Sequence, residues 1–251
     1  MLWRFLATSP AVSAMPVEGQ MLDSLKHVMR EDPWNPQKRL PWLAIKEQWE
    51  EVWDMSKPIL LEKSPPNVAR AFAIEKFFRP AYYIAMVRDP YAFCEGRRRR
   101  HPKNIELSAE FWVDCATYQL QNIKGLEKVI HFRYEDFTDR PVDIRNRILE
   151  FLPALQDLDV TQSFEARSIQ GRGAKQIRNF NQEKIDRLTA RDIKAVNSVL
   201  REHDHLMTYF GYEYLEPTVG QSLRYLRSTA AFNTQTIVDK GKRFLARRFN
   251  R

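Results

Sequence analysis

The sequence predicts an α/β fold, a parallel sheet flanked by helices, and three observations point to it. Three short apolar runs rich in branched and aromatic residues, 58–61, 82–87 and 129–132, read as strands. None alternates polar with apolar residues, the pattern expected of strands covered on both faces by helical crossovers. Stretches with helical periodicity lie between and after these runs, and 251 residues with 43% apolar content suffice for one sizeable core.

The elements follow in order. Residues 1–6 already read as the middle of a helix, whereas a parallel sheet normally begins with a strand, so the first strand is expected to be missing. The stretch 33–53 places Trp34, Trp42, Trp49 and Trp53 among Pro33, Pro36 and Pro41. It reads as a loop leading into a helix from Leu43, and four large aromatics suit core and lid packing better than sugar stacking. A helix over 67–78 follows the first run. Another over 108–124 precedes the third, with Ser108 as N-cap and Gly125 as stop. Pro141 suits a first helical turn, after which Ile144, Ile148, Phe151 and Leu152 form one buried stripe ended by Pro153. Thr189 and Asp192 form a capping-box pair, and Ile193, Val196, Leu200, Met207 and Phe210 keep one helical face until Gly211. The organisation expected is one α/β domain over 1–216 and a basic, helical tail over 217–251.

Charge and cysteine use exclude several function classes. Of the net charge of +8, most sits in 217–251: Arg224, Arg227, Lys240, Lys242, Arg243, Arg247, Arg248 and Arg251 stand against Asp239 alone. The preceding residues are nearly neutral, which argues against a nucleic-acid partner and leaves the tail to touch an anionic surface. Cys94 and Cys115 match no metal-ligand spacing and are too few for a disulfide framework, pointing to the cytoplasm. No apolar run is long enough to span a bilayer, and Arg4 with the short run 5–14 makes a poor signal peptide.

Chemistry concentrates at the ends of the strands. Val87-Arg88-Asp89-Pro90 closes the second run. An arginine there lies on the edge where parallel sheets bind ligands, and its planar fork suits phosphate. Glu62-Lys63-Ser64-Pro65 closes the first run and Arg133-Tyr134-Glu135-Asp136-Phe137 the third. Gly171-Arg172-Gly173 follows later, ahead of Ile177-Arg178-Asn179-Phe180-Asn181. Taken in this order, the segments resemble the sulfotransferases that use 3′-phosphoadenosine 5′-phosphosulfate (PAPS).

The resemblance implies a three-layer, P-loop-like architecture and transfer of a sulfuryl group from PAPS, as donor substrate and without a metal, to a hydroxyl on a carbohydrate or small metabolite. It assigns the donor to Arg88, Gly96, Gly171, Arg172 and Gly173, with Arg88 on the nucleotide 3′-phosphate and 171–173 as a loop folded over it. The family usually has a serine eight residues after that arginine, where this chain has Gly96 and one hydroxyl donor fewer. Lys63 is the cation expected to offset charge in the in-line transfer. Glu18 stands in the place of a family glutamate that takes the acceptor's proton. Both are expected to face one cleft at the carboxyl edge of the sheet.

Other residues are read structurally. His131, within a strand, suits core packing, and His203 and His205, two apart on a helix, share no face for a metal. The run Arg97 to Arg100, with His101 and Lys103, reads as a solvated face. The family's 5′-phosphosulfate loop, a Ser-Gly-Thr turn between strand and helix, does not occur in the 251 residues, so this form is expected to be inactive or nearly so. The alternatives are a catalytically inactive nucleotide-binding or interaction protein of the same fold, and a basic protein of nucleic-acid or membrane surfaces.

Overall fold

Short parallel strands, each covered by helices, set the frame for the polar groups that matter. The structure is a computed structural model that describes residues 1–100, 104–168, 171–218, 220–221 and 224–226. β1 (Val12–Ala14) pairs in parallel with β2 (Ile59–Leu61), Val12 opposite Ile59 and Ala14 opposite Leu61. β3 (Tyr83–Val87) pairs in parallel with β4 (Val129–Arg133), Tyr83 opposite Val129 and Val87 opposite Arg133. β5 (Phe164–Ser168) and β6 (Gly171–Lys175) form a third pair. The helices are α1 (Leu2–Leu6), α2 (Lys26–Met29), α3 (Trp42–Glu50), α4 (Ala71–Phe77), α5 (Pro90–Arg100), α6 (Ile105–Gly125), α7 (Tyr134–Asp139), α8 (Pro141–Phe151), α9 (Asn181–Ile185), α10 (Ala190–Arg201) and α11 (Asp204–Phe210).

The α/β class with parallel strands holds, but the strands form separate pairs: β2 and β3 are not hydrogen-bonded to each other. By contacts the chain divides into two units. The first contains Met1–Val87, Cys115–Arg167 and Arg172–Arg178; the second contains Arg88–Asp114, Ser168, Gly171 and the described residues from Asn179 onward.

In the first unit, β2 shows why its run does not alternate polar with apolar residues. Ile59 and Leu61 pack against one apolar cluster and Leu60 against another, so both faces are partly covered. The first cluster joins Leu2, Phe5 and Leu6 of α1 to Phe132 of β4, Phe137 of α7, and Ile144 and Ile148 of α8. Ile84, Met86 and Ile130 lean on the same cluster, so both strand pairs share it. The second cluster contains Met15, Met29, Trp42, Ile45, Trp49 and Trp53. The indoles meet edge to face, Trp42 with Trp49 at 6.4 Å and Trp49 with Trp53 at 5.7 Å between centroids. Trp34 stays half-buried outside it.

The second unit is mainly helical. Its buried residues include Tyr91, Ala92 and Cys94 of α5, Trp112 of α6, and Ile193, Val196 and Leu200 of α10. The Tyr91 hydroxyl donates to Asn197 Oδ1 and accepts from Leu215 N. Thr189 and Asp192 form the expected capping box.

Several sequence expectations need correction. α6 begins at Ile105, and Ser108 is buried within it; Asn104 makes the cap, its Oδ1 accepting from Glu106 N. The helix read over 67–78 is a 3-10 segment, Pro65–Arg70, followed by α4. The long helix ending at Gly211 is two, α10 and α11, broken at Glu202 and His203, with Gly211 as a left-handed C-cap at φ 67°. His131 is exposed rather than packed in the core. The tail over 217–251 lies largely outside the described residues. Within its described part, Gln221 is buried and donates to the carbonyls of Ile185 and Leu188.

Candidate active site

In the first unit, Glu18 follows β1 and Lys63 follows β2. Because these strands are parallel and paired, the segments after them leave from the same, carboxyl, edge. The structure brings the two side chains together as an ion pair between Lys63 Nζ and Glu18 Oε1. Gln20 Nε2 donates to the other Glu18 oxygen at 2.7 Å. The pair remains open to solvent, the Lys63 side chain 45% and the Glu18 side chain 29% exposed.

Glu62, beside Lys63, ties the two segments to each other. Its carboxylate accepts from Gly19 N at 2.9 Å, from Ser64 Oγ and from Asn67 Nδ2, while Gln20 N donates to Ser64 Oγ at 3.2 Å. Burial pushes the Glu62 carboxyl above its usual range, against the hydrogen bonds from Ser64 and Gly19, and nearby Glu18 adds to the rise. Gly19 is required sterically, since a Cβ there would lie 2.6 to 2.9 Å from the Trp49 indole. The second cluster therefore backs the segment that carries Glu18.

In the second unit, Arg88 Nε donates to Asn181 Oδ1 at 2.7 Å, and Trp112 Nε1 donates to the Arg88 carbonyl at 2.8 Å. Asp89 opens α5, its Oδ1 accepting from Ala92 N at 2.7 Å. Gly96 is buried on α5, and a Cβ built on it would lie 2.5 Å from Lys184 Nζ.

In the arginine run, Arg97, Arg98 and Arg99 are half-buried and paired rather than solvated, while the Arg100 side chain, His101 and Lys103 lie outside the described residues. Arg97 lies 3.5 Å over the Phe111 ring, and Arg98 pairs with Asp192 at 2.6 Å. Arg99 pairs at 2.7 Å with Glu95, which is 1% exposed and also lies 3.5 Å from Arg187. Burial lowers the Arg99 pKa, with Glu95 acting in the opposite direction. The i, i+4 spacing of Glu95 and Arg99 was a legible signal for this pairing.

Two other sequence-predicted segments turn out differently. Gly171, Arg172 and Gly173 lie in strand β6 rather than in a loop, and residues 169–170 between β5 and β6 lie outside the described residues. In Arg133-Tyr134-Glu135-Asp136, Asp136 closes a capping box with Arg133 and accepts from Arg140 at 2.7 Å. Burial alone would raise the Asp136 carboxyl, but the hydrogen bonds from Arg133 and Arg140 outweigh it and hold the pKa at about 2. Tyr134 donates to the Arg178 carbonyl at 3.0 Å. The segment is thus a structural joint of the first unit.

Residues 12–156 match the sulfotransferase family, more than half of the chain and a span that contains Glu18, Lys63, Arg88 and Gly96. The chain belongs to the sulfotransferase family. Sulfuryl transfer in general follows from that membership. No curated protein matches the chain. Lys63 and Glu18 stand side by side at one strand edge as a cation and a carboxylate. No group of His, Cys, Asp and Glu among the described residues could hold a metal ion, and no helix among them is long and apolar enough to cross a membrane.

Sequence reasoning missed Asn181, Lys184, Glu62 and Gly19. Glu62 was within the quoted Glu-Lys-Ser-Pro segment, so its position carried a signal. Asn181 likewise closed the quoted Ile177-to-Asn181 segment, whereas Lys184 carried no signal, because it reaches its place only through the packing of α9.

Proposed function

We propose that this sulfotransferase moves the sulfuryl group of PAPS to a hydroxyl of a carbohydrate or small metabolite in the cytoplasm. The observation that carries this reading is the Glu18–Lys63 pair at the shared carboxyl edge of β1 and β2. A Glu18 carboxylate oxygen takes the acceptor's proton as that oxygen bonds to sulfur. The bond from sulfur to the 5′-phosphate oxygen breaks, and adenosine 3′,5′-bisphosphate leaves. Lys63 stabilises the charge spread over the transferring oxygens. One Glu18 oxygen accepts from Lys63 and the other from Gln20, and each keeps a second lone pair for an acceptor hydroxyl. Arg88 takes the 3′-phosphate, with the backbone of Gly171, Arg172 and Gly173 as a second contact.

Among the described residues, β2 and β3 each pair with one strand and not with each other, while Ile59, Leu61, Ile84 and Met86 lean on one core cluster. A second reading, favoured by the same split and by Gly96, is a protein that holds the nucleotide without turning it over.

The test measures transfer from labelled PAPS to a panel of sugars and small hydroxyl compounds by the wild type and Glu18→Gln, with nucleotide binding measured beside it. Transfer by the wild type that falls in folded Glu18→Gln supports the proposal. Nucleotide binding without transfer favours the second reading.

A further inference from the structure

We propose that Glu62 is a positioning residue that keeps the Glu18 carboxylate available as a base, by occupying with Ser64 the backbone donors on which that carboxylate would otherwise settle. The proposal rests on the reading that Glu18 takes the acceptor's proton, and it gives a task to a carboxylate that itself touches no reacting atom.

The local backbone sets the problem. Glu18 is the N-cap of a short 3-10 turn, Gly19–Met21, with extended dihedrals of φ −60° and ψ 134°. Met21 N donates to the Glu18 carbonyl at 2.7 Å and closes the turn. The first N–H groups of a helical turn have no partner within it, and a side-chain oxygen at the N-cap is the usual acceptor for them. Hydrogen bonds of that kind favour the charged form of a carboxylate, and so weaken it as a base. They would also turn it away from an acceptor.

The structure has the opposite arrangement. Glu18 makes no side-chain capping bond to its own turn. Gly19 N donates to Glu62 Oε1 at 2.9 Å and Gln20 N to Ser64 Oγ at 3.2 Å, so the donors are filled from the segment that follows β2. Ser64 Oγ in turn donates to Glu62 Oε1, and Asn67 Nδ2 donates to Glu62 Oε2, which fixes the capping carboxylate through both of its oxygens. Behind the turn, a Cβ on Gly19 would lie 2.6 Å from Trp49 Nε1, so the turn is held between an indole and a carboxylate. Glu18 is left to meet side chains alone among the described residues, Lys63 Nζ and Gln20 Nε2.

One further atom separates the hydrogen bonds of Glu62 from its charge. Asn67 Oδ1 is buried without a hydrogen-bond partner. A glutamine at 62 would keep an oxygen for Gly19 N and Ser64 Oγ and set its amide nitrogen opposite Asn67, whose own amide can turn to present Oδ1. Glu62→Gln therefore keeps the cap and removes the charge, whereas Glu62→Ala removes both. Ser64→Ala releases Gln20 N and leaves Gly19 N on Glu62.

The experiment measures transfer from labelled PAPS, with kcat and KM separated, in the wild type, Glu62→Ala, Glu62→Gln, Ser64→Ala, Glu18→Gln and the double variant Glu18→Gln/Glu62→Ala. Thermal melts confirm folding, and crystal structures of the wild type, Glu62→Ala and Ser64→Ala locate the Glu18 carboxylate. Glu62→Ala should lower kcat by up to about 100-fold, the loss that a misplacement of about 1 Å can produce, with KM near the wild-type value. Ser64→Ala should lower kcat by about 3- to 10-fold, as for one hydrogen bond, and Glu62→Gln should stay near the wild-type rate. In the Glu18→Gln background, Glu62→Ala should have no further effect, because it acts through Glu18. In the crystals, the Glu18 carboxylate should move onto Gly19 N or Gln20 N in Glu62→Ala and onto Gln20 N in Ser64→Ala. The proposal is overturned if folded Glu62→Ala and Ser64→Ala transfer at the wild-type rate, if Glu62→Gln loses as much as Glu62→Ala, if Glu62→Ala slows both backgrounds equally, or if Glu18 stays on Lys63 and Gln20 Nε2 in the crystals. If Glu18→Gln itself transfers at the wild-type rate, the reading of Glu18 as the base fails instead. The crystals decide the capping claim even for a chain that does not transfer.

Discussion

The polar group around Glu18 and the one around Arg88 are built on opposite principles. In the first, one ammonium meets two carboxylates: Lys63 faces Glu18, and Glu62 is held by neutral donors from Gly19, Ser64 and Asn67. Its members stand on segments that follow two paired parallel strands, so the backbone itself sets their spacing. In the second, helices do the positioning, with α9 bringing Asn181 to Arg88 and Lys184 to Gly96 of α5. A solvent-open carboxylate–ammonium pair is suited to exchanging a proton, and an arginine fork to holding a phosphate. Under the proposed function, transfer and grip therefore fall to different groups, and substitutions can test each alone.

The largest separation is expected between two neighbouring arginines. Arg99→Ala leaves the buried Glu95 with Arg187 alone, and breaking a buried pair costs about 3–5 kcal/mol, so its melting temperature should fall sharply. Arg88→Ala should instead cost about 2–5 kcal/mol of affinity for adenosine 3′,5′-bisphosphate, with a smaller change in stability. Equal losses of affinity in calorimetry would erase the distinction between a ligand contact and a fold contact.

A smaller effect should come from the wall behind Glu18. Gly19→Ala drives a methyl group into the rigid Trp49 indole, and overpacking of this kind costs about 1–3 kcal/mol. Chemical denaturation should register that cost. Transfer should slow as well, because the segment carrying Glu18 must shift, while bisphosphate affinity stays at the wild-type level.

The smallest effect concerns pH. The folded Asp136 carboxyl titrates at about 2, below its ordinary value of 3.8, so its contribution to stability is present above about pH 4 and lost as the pH falls through 2. Asp136→Asn should therefore be less stable than the wild type near neutrality, and the two should converge in acid. Parallel curves from pH 7 to pH 2 would contradict this origin of the shift.

How far the sequence disclosed all this depended on the kind of contact involved. β2, β3 and β4 were legible because strands buried on both faces leave unbroken apolar runs. β1 has only three residues, Val12, Ser13 and Ala14, too few for any period, and β6 contains two glycines, which read as a loop. The break between α10 and α11 was hidden because the apolar spacing from Ile193 to Phe210 continues across it. At the site, Glu18, Lys63 and Arg88 stood in short segments at strand ends, where position itself suggests chemistry. Lys184 did not, since only the missing Cβ of Gly96 and the packing of α9 give it a place.

The most direct test of the division between transfer and grip measures two quantities on the same folded variants: the rate of sulfuryl transfer from labelled PAPS and the affinity for adenosine 3′,5′-bisphosphate. Glu18→Gln removes the proton acceptor while keeping size and one of the two hydrogen bonds that Glu18 accepts, so transfer should fall by about 10²–10⁴-fold with affinity unchanged, whereas Arg88→Ala should lose affinity first. Transfer by Glu18→Gln at the wild-type rate, or loss of affinity in that variant as large as in Arg88→Ala, would contradict the account.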